Sequence, residues 1–167
     1  KMYMARQEAA ANAYLGAALR TFGAYVGPAQ QASFMPGLVT FPTAEEKYKK
    51  ALTQFNEILQ KYSRPPQPKA VTIARLHVGL CQAHLGQQDA AVKTLGEVAR
   101  ASDRNLASLA QFALAGELLK AGKREEALRN YEELAQRPTA TVPESTARLA
   151  LADAYRATDP AKARAIY

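Results

Sequence analysis

Apolar residues recur along this chain at three- and four-residue spacing, and in one stretch the recurrence is itself repeated. Ala74 to Val98 reads ARLHVGLCQAHLGQQDAAVKTLGEV, and Ala110 to Leu134 reads AQFALAGELLKAGKREEALRNYEEL. At a shift of 36, Gly86 meets Gly122, Ala91 meets Ala127, Leu95 meets Tyr131 and Val98 meets Leu134. Each copy reads as a helix, a glycine turn and a second helix. The spacing gives one apolar face per helix, and each glycine supplies the left-handed residue that ends the first of the pair. Self-similarity at this period signals stacked units, none of which buries its apolar face alone. The predicted first helices run over about 70–85 and 104–121, the second over about 88–101 and 124–136.

The pattern extends on both sides. Tyr48, Ala51, Leu52, Phe55, Ile58, Leu59 and Tyr62 predict a helix over 44–63. Thr43-Ala-Glu-Glu46 opens it as a capping box, and Arg64-Pro-Pro-Gln-Pro68 closes it, because proline lacks the amide and blocks continuation. Downstream, Thr141-Val-Pro-Glu144 reads as a second capping box, with Pro143 suited to a first turn. The helix it opens carries Leu149, Ala152 and Tyr155, which match Phe112, Ala115 and Leu118 at a shift of 37. Asp159-Pro160 then starts a last helix with Ala163 and Tyr167 in the places of Ala127 and Tyr131. The predicted array is therefore 44–167: a helix over 44–63, then hairpins at about 70–101, 104–137 and 142–167. Glu125 with Arg129 and Glu133 with Arg137 are favourable surface pairs within one helix.

Residues 1–26 predict an alanine-rich helix with Leu15, Ala18, Leu19, Phe22 and Val26 on one stripe. No partner helix of the repeated pattern adjoins it. It is expected to pack along the array as a cap, or to continue upstream toward an anchor. Residues 27–43 read as a Pro/Gly loop that is apolar for a loop, with Phe34, Met35, Leu38, Val39 and Phe41. Long structureless loops are uncommon in compact domains and often functional. Two readings stand: these side chains cover an end of the array, or they mimic or gate a ligand in its groove.

Composition adds limits. The chain has 167 residues, 48% of them hydrophobic and 22% charged, an ordinary balance for a globular protein. No run of 18 apolar residues occurs. The net charge of +7 is spread from end to end. Nucleic-acid binding calls for clustered basic residues with aromatic platforms, so no nucleic-acid partner is expected. Attraction to acidic lipid or acidic partners stays compatible. A single cysteine, Cys81, excludes a disulfide framework. His77, Cys81 and His84 share a helix face, a conceivable zinc set. Cysteine more often packs as a small hydrophobe, and no fourth ligand is evident. No phosphate loop, serine elbow or isolated carboxylate pair appears. No cofactor, metal or catalytic residue is assigned, and the chain is read as no enzyme.

The punctuation resembles the tetratricopeptide repeat family. That pattern has a small residue within the first helix (here Gly79, Ala115, Ala152) and a glycine turn (Gly86, Gly122). Its second helix has an early alanine (Ala51, Ala91, Ala127, Ala163) and an aromatic or large residue four positions on (Phe55, Leu95, Tyr131, Tyr167). The chain departs from the family in having no tryptophan, in misplaced repeat-ending prolines, and in a 40-residue step from Ala51 to Ala91. The layout also resembles, more thinly, soluble regions of envelope proteins of the ancillary SecYEG translocon subunit type. The stretch Phe41-x-Thr43-x-x-Glu46-Lys47-Tyr48 carries that likeness.

What the resemblance implies is an all-α, right-handed α-solenoid of tetratricopeptide-like hairpins with an extra N-terminal helix. It implies a protein–protein interaction module. Its first helices would line a concave groove through Ile73, Leu76, Leu80 and His84, then Leu109, Phe112, Gly116 and Lys120. Leu76 and Leu80 stand where some relatives carry a carboxylate clamp, so the expected ligand is a protein or peptide with an apolar segment. The competing reading has these residues pack inside the protein; both bury the same apolar surface. The narrower likeness implies the periplasmic side of a bacterial inner membrane, with a membrane tether preceding Lys1, and an adaptor or chaperone-like role in translocation or assembly. A self-associating scaffold and a cytosolic adaptor are the alternatives.

Overall fold

A computed structural model describes residues 2–28 and 37–167. Among these the chain is all-α apart from two short strands. The helices are α1 (Met2–Phe22), α2 (Ala44–Tyr62), α3 (Lys69–His84), α4 (Gln88–Val98), α5 (Arg104–Lys120), α6 (Arg124–Gln136), α7 (Glu144–Arg156) and α8 (Pro160–Ile166). The strands are β1 (Tyr25–Val26) and β2 (Thr40–Phe41). The chain divides into two compact units, Lys1–Gln87 and Gln88–Tyr167. No helix among the described residues is long and apolar enough to cross a membrane.

In the first unit α1 packs against both α2 and α3, and α2 against α3. The core joins Ala11, Leu15 and Ala18 of α1 to Ala51, Phe55 and Ile58 of α2 and Val71, Ala74, Val78 and Cys81 of α3. Alanine at the contact positions lets the helix axes approach. Thr43 caps α2 as its sequence predicts, accepting from the Glu46 amide at 3.2 Å. In the second unit consecutive helices from α4 to α8 pack in order. Its core includes Ala115, Leu118, Ala127, Tyr131, Leu134, Val142 and Leu151. Gly86 and Gly122 have φ of 72° and 78°, the left-handed turns expected of them. Asp159 caps α8, accepting from the Lys162 amide at 3.0 Å.

Burial repeats with the sequence. Over 51–60, 91–100 and 127–136 the order of buried, half-buried and exposed positions is the same. Ala51, Phe55 and Ile58 thus correspond to Ala91, Leu95 and Val98, and to Ala127, Tyr131 and Leu134, all buried. The preceding helices repeat as well: Ala74, Val78 and Cys81 answer to Ala110, Leu114 and Glu117, and to Ala147, Leu151 and Ala154. Only Leu114 of these is half-buried rather than buried.

Two expectations are corrected. The N-terminal helix does have a partner. Its buried Ala11, Leu15 and Ala18 follow the spacing of Ala74, Val78 and Cys81, and it packs on α2. The long intervening segment hid the pairing. That segment is also not structureless at its ends: β1 and β2 pair in parallel, Tyr25 beside Thr40 and Val26 beside Phe41. The Gly27 amide adds a hydrogen bond to the Phe41 carbonyl at 3.0 Å. Phe34 and Met35 lie outside the described residues; Leu38 and Val39 are exposed.

The second capping box does not form either. Pro143 precedes α7 with no side-chain cap. Thr141 instead donates to the Asn105 carbonyl at 2.8 Å and shares hydrogen bonds with Ser108 and Thr139. Ser108 is buried and 2.7 Å from the Thr139 hydroxyl. The hydroxyls thereby tie the start of α5 to the α6–α7 link, satisfying polar groups that would be costly to bury unpaired.

Candidate functional site

Ile73, Leu76, Leu80 and His84 lie three or four residues apart along α3 and so form one stripe. They do not share one environment. Ile73 packs on the first unit's core, Leu76 is 3% exposed, and Leu80 is half-buried. His84 is exposed, its ring stacked on Tyr48 of α2 at 4.0 Å with the planes 2° apart. Of the four, Leu80 and His84 keep the most surface for a ligand.

In α5, Leu109 and Phe112 pack against the second unit's core. Phe112 meets the edge of Tyr131 of α6 at 5.4 Å. Gly116 lies beside the same tyrosine: a Cβ there would make an ordinary contact with its hydroxyl oxygen at 3.8 Å. Lys120 is exposed and paired with Glu117 at 2.6 Å. Internal packing therefore uses a large part of both stripes. Each stripe ends on a polar residue at the C-terminal turn of its helix, His84 on α3 and Lys120 on α5.

Sequence reasoning missed the aromatic assembly around α3. His77 lies 5.0 Å from the ring of Phe22 and is stacked on Phe55 at 4.9 Å. Its Nδ1 is 2.8 Å from the Ile73 carbonyl oxygen. A carbonyl only accepts, so Nδ1 carries the proton. Burial holds the imidazole pKa below its ordinary value, opposed by the bond to Ile73. The helical register places His77 between Ile73 and Cys81, but rings from α1 and α2 are too distant in sequence to be foreseen.

Cys81 is fully buried, and burial pushes its thiol up to about 12, against a small opposing effect of Lys47. A thiol held protonated is a poor nucleophile and a poor metal ligand. Among the described residues no group of three or more His, Cys, Asp or Glu is placed to hold a metal ion. His77 and His84 are instead built into ring contacts with Phe55 and Tyr48.

A second feature went unread. The first turn of α1 and the Pro-rich link between α2 and α3 enclose a cleft of about 380 Å³. Tyr3, Lys61, Tyr62, Arg64, Pro65 and Pro66 are among its walls. From sequence, those prolines signalled only a helix end.

No family model matches the chain, and no curated protein or solved structure matches it.

Proposed function

We propose that the chain is a non-catalytic protein–protein interaction module, a right-handed array of tetratricopeptide-like hairpins. The observation that carries this reading is the recurrence of one burial order over 51–60, 91–100 and 127–136. Helices that bury the same face in the same register are what a stack of equivalent units requires. The first helix of each unit's repeat then presents a ligand face of its own. On α3 of the first unit Leu80 and His84 are the accessible part and Ile73 and Leu76 the floor; on α5 of the second unit Lys120 is the accessible part and Leu109, Phe112 and Gly116 the floor. A partner's apolar segment would lie over the leucines and half-buried rings. The reading is of a binder because the one thiol is held protonated and both imidazoles are engaged with aromatic rings.

The setting we propose is the bacterial envelope, on the periplasmic side of the inner membrane, with a tether outside this stretch. It rests on the likeness at Phe41 to Tyr48. The test is affinity capture from detergent-solubilised bacterial membranes, comparing the parent chain with Leu80→Glu and Lys120→Glu together. Translocon or outer-membrane assembly components should be recovered by the parent and lost with the variant. Recovery of cytosolic proteins alone would move the module to the cytoplasm. Equal capture by both baits would remove the groove.

One observation favours self-association as a second reading. Leu149 on α7 corresponds to Phe112, yet Leu149 is 53% exposed while Phe112 is half-buried. A dimer seen by light scattering, and abolished by Leu149→Glu, would support it.

A further inference from the structure

The end of the first unit where α1 starts carries features that the groove reading does not use. Met2, Tyr3 and Met4 are 80%, 71% and 39% exposed. Successive positions on a helix point about 100° apart. Three consecutive apolar side chains therefore fan around most of the helix, and a single groove or packed helix would meet only some of them. A layer can receive them all.

The surroundings carry more cations than acids, with Glu57 acting on Lys61 from the same helix. Every charged residue lining the neighbouring cleft is a cation, Lys61 and Arg64, and the adjoining hollow adds Arg6. Lys61 is held in place: it donates to the Tyr14 hydroxyl at 2.8 Å and lies over that ring at 4.0 Å. Tyr3 and Tyr62 add rings with a polar tip, the side-chain type enriched where hydrocarbon meets water. Protruding apolar groups ringed by cations match a surface that is greasy beneath and negative on top.

We propose that this end of the first unit docks on an anionic phospholipid surface. Met2, Tyr3 and Met4 enter the headgroup layer, and Arg6, Lys61 and Arg64 meet phosphate oxygens. The contact shares no residue with the proposed partner face, so its failure would leave that reading standing.

The test is co-sedimentation of the 167-residue chain with phosphatidylcholine vesicles, with and without phosphatidylglycerol, at low salt. Binding is expected only to the vesicles containing phosphatidylglycerol. A basic residue near an anionic surface contributes about a factor of five in partitioning, so Arg6→Gln with Arg64→Gln should weaken binding about 30-fold. Lys93→Gln with Arg100→Gln removes the same charge elsewhere and should change little. Replacing Met2, Tyr3 and Met4 by serine should weaken binding and leave the remainder removable by salt. All these positions are exposed, so circular dichroism should show unaltered helix content. No sedimentation with anionic vesicles would overturn the proposal. So would equal losses from the two arginine-containing pairs, or binding of polyglutamate in place of vesicles.

Discussion

His77 is a half-buried imidazole packed against the rings of Phe22 and Phe55, and that gives the first unit a pH dependence. Its folded pKa lies below the ordinary 6.5, first because of burial. The folded chain therefore takes up its proton less readily than the unfolded chain. The stability is fully present above pH 6.5 and is lost as pH falls from there through the lowered folded value. Thermal melts should show a falling Tm across that window, and His77→Phe should flatten the fall. Cys81 gives a second expectation at this scale. With its pKa pushed up to about 12, the native thiol should resist maleimide at pH 8 and react fully in denaturant. Both residues could be placed on one helix face from their spacing. Their chemistry could not be read there, because the groups that desolvate them come from α1 and α2.

At the scale of the element, the helices were legible because their apolar periodicity is strong. The turns Gly86 and Gly122 were legible because only glycine adopts positive φ at low cost. A Cβ at either would meet nothing within 4 Å, so substitution there is a matter of backbone strain alone. Gly122→Ala should destabilise by about 1 kcal/mol, and Gly122→Asn by less. Chemical denaturation with an unchanged m-value would check it. Removing the Asp159 cap with Asp159→Ala should cost about 1 kcal/mol and fray α8, visible as faster amide exchange over 160–166. Two elements were misread for identifiable reasons. Thr141 has the spacing of a cap, but Asn105 and Ser108 compete for its hydroxyl across the α5–α7 gap in sequence. Helix α1 has the buried spacing of the repeat, but its partner begins only at Ala44.

The whole molecule is two compact units, each with its own apolar cluster. Phe55 is the largest fully buried side chain of the first. Phe55→Ala should cost about 3–5 kcal/mol, and Leu134→Ala in the second about 2–5 kcal/mol. Hydrogen exchange read over 2–87 for the first variant and 88–167 for the second would show the loss of protection. At this scale the sequence spoke well for repetition and poorly for the ligand face. An apolar first-helix residue looks the same whether it meets a partner or Tyr131, and Phe112 meets Tyr131.

The short parallel pairing of Tyr25–Val26 with Thr40–Phe41 has a consequence for how this chain tolerates change. Main-chain pairing of this kind clamps the end of α1 to the start of α2 whatever side chains those four residues carry, so the junction should outlast substitutions that would loosen a contact made by side chains alone.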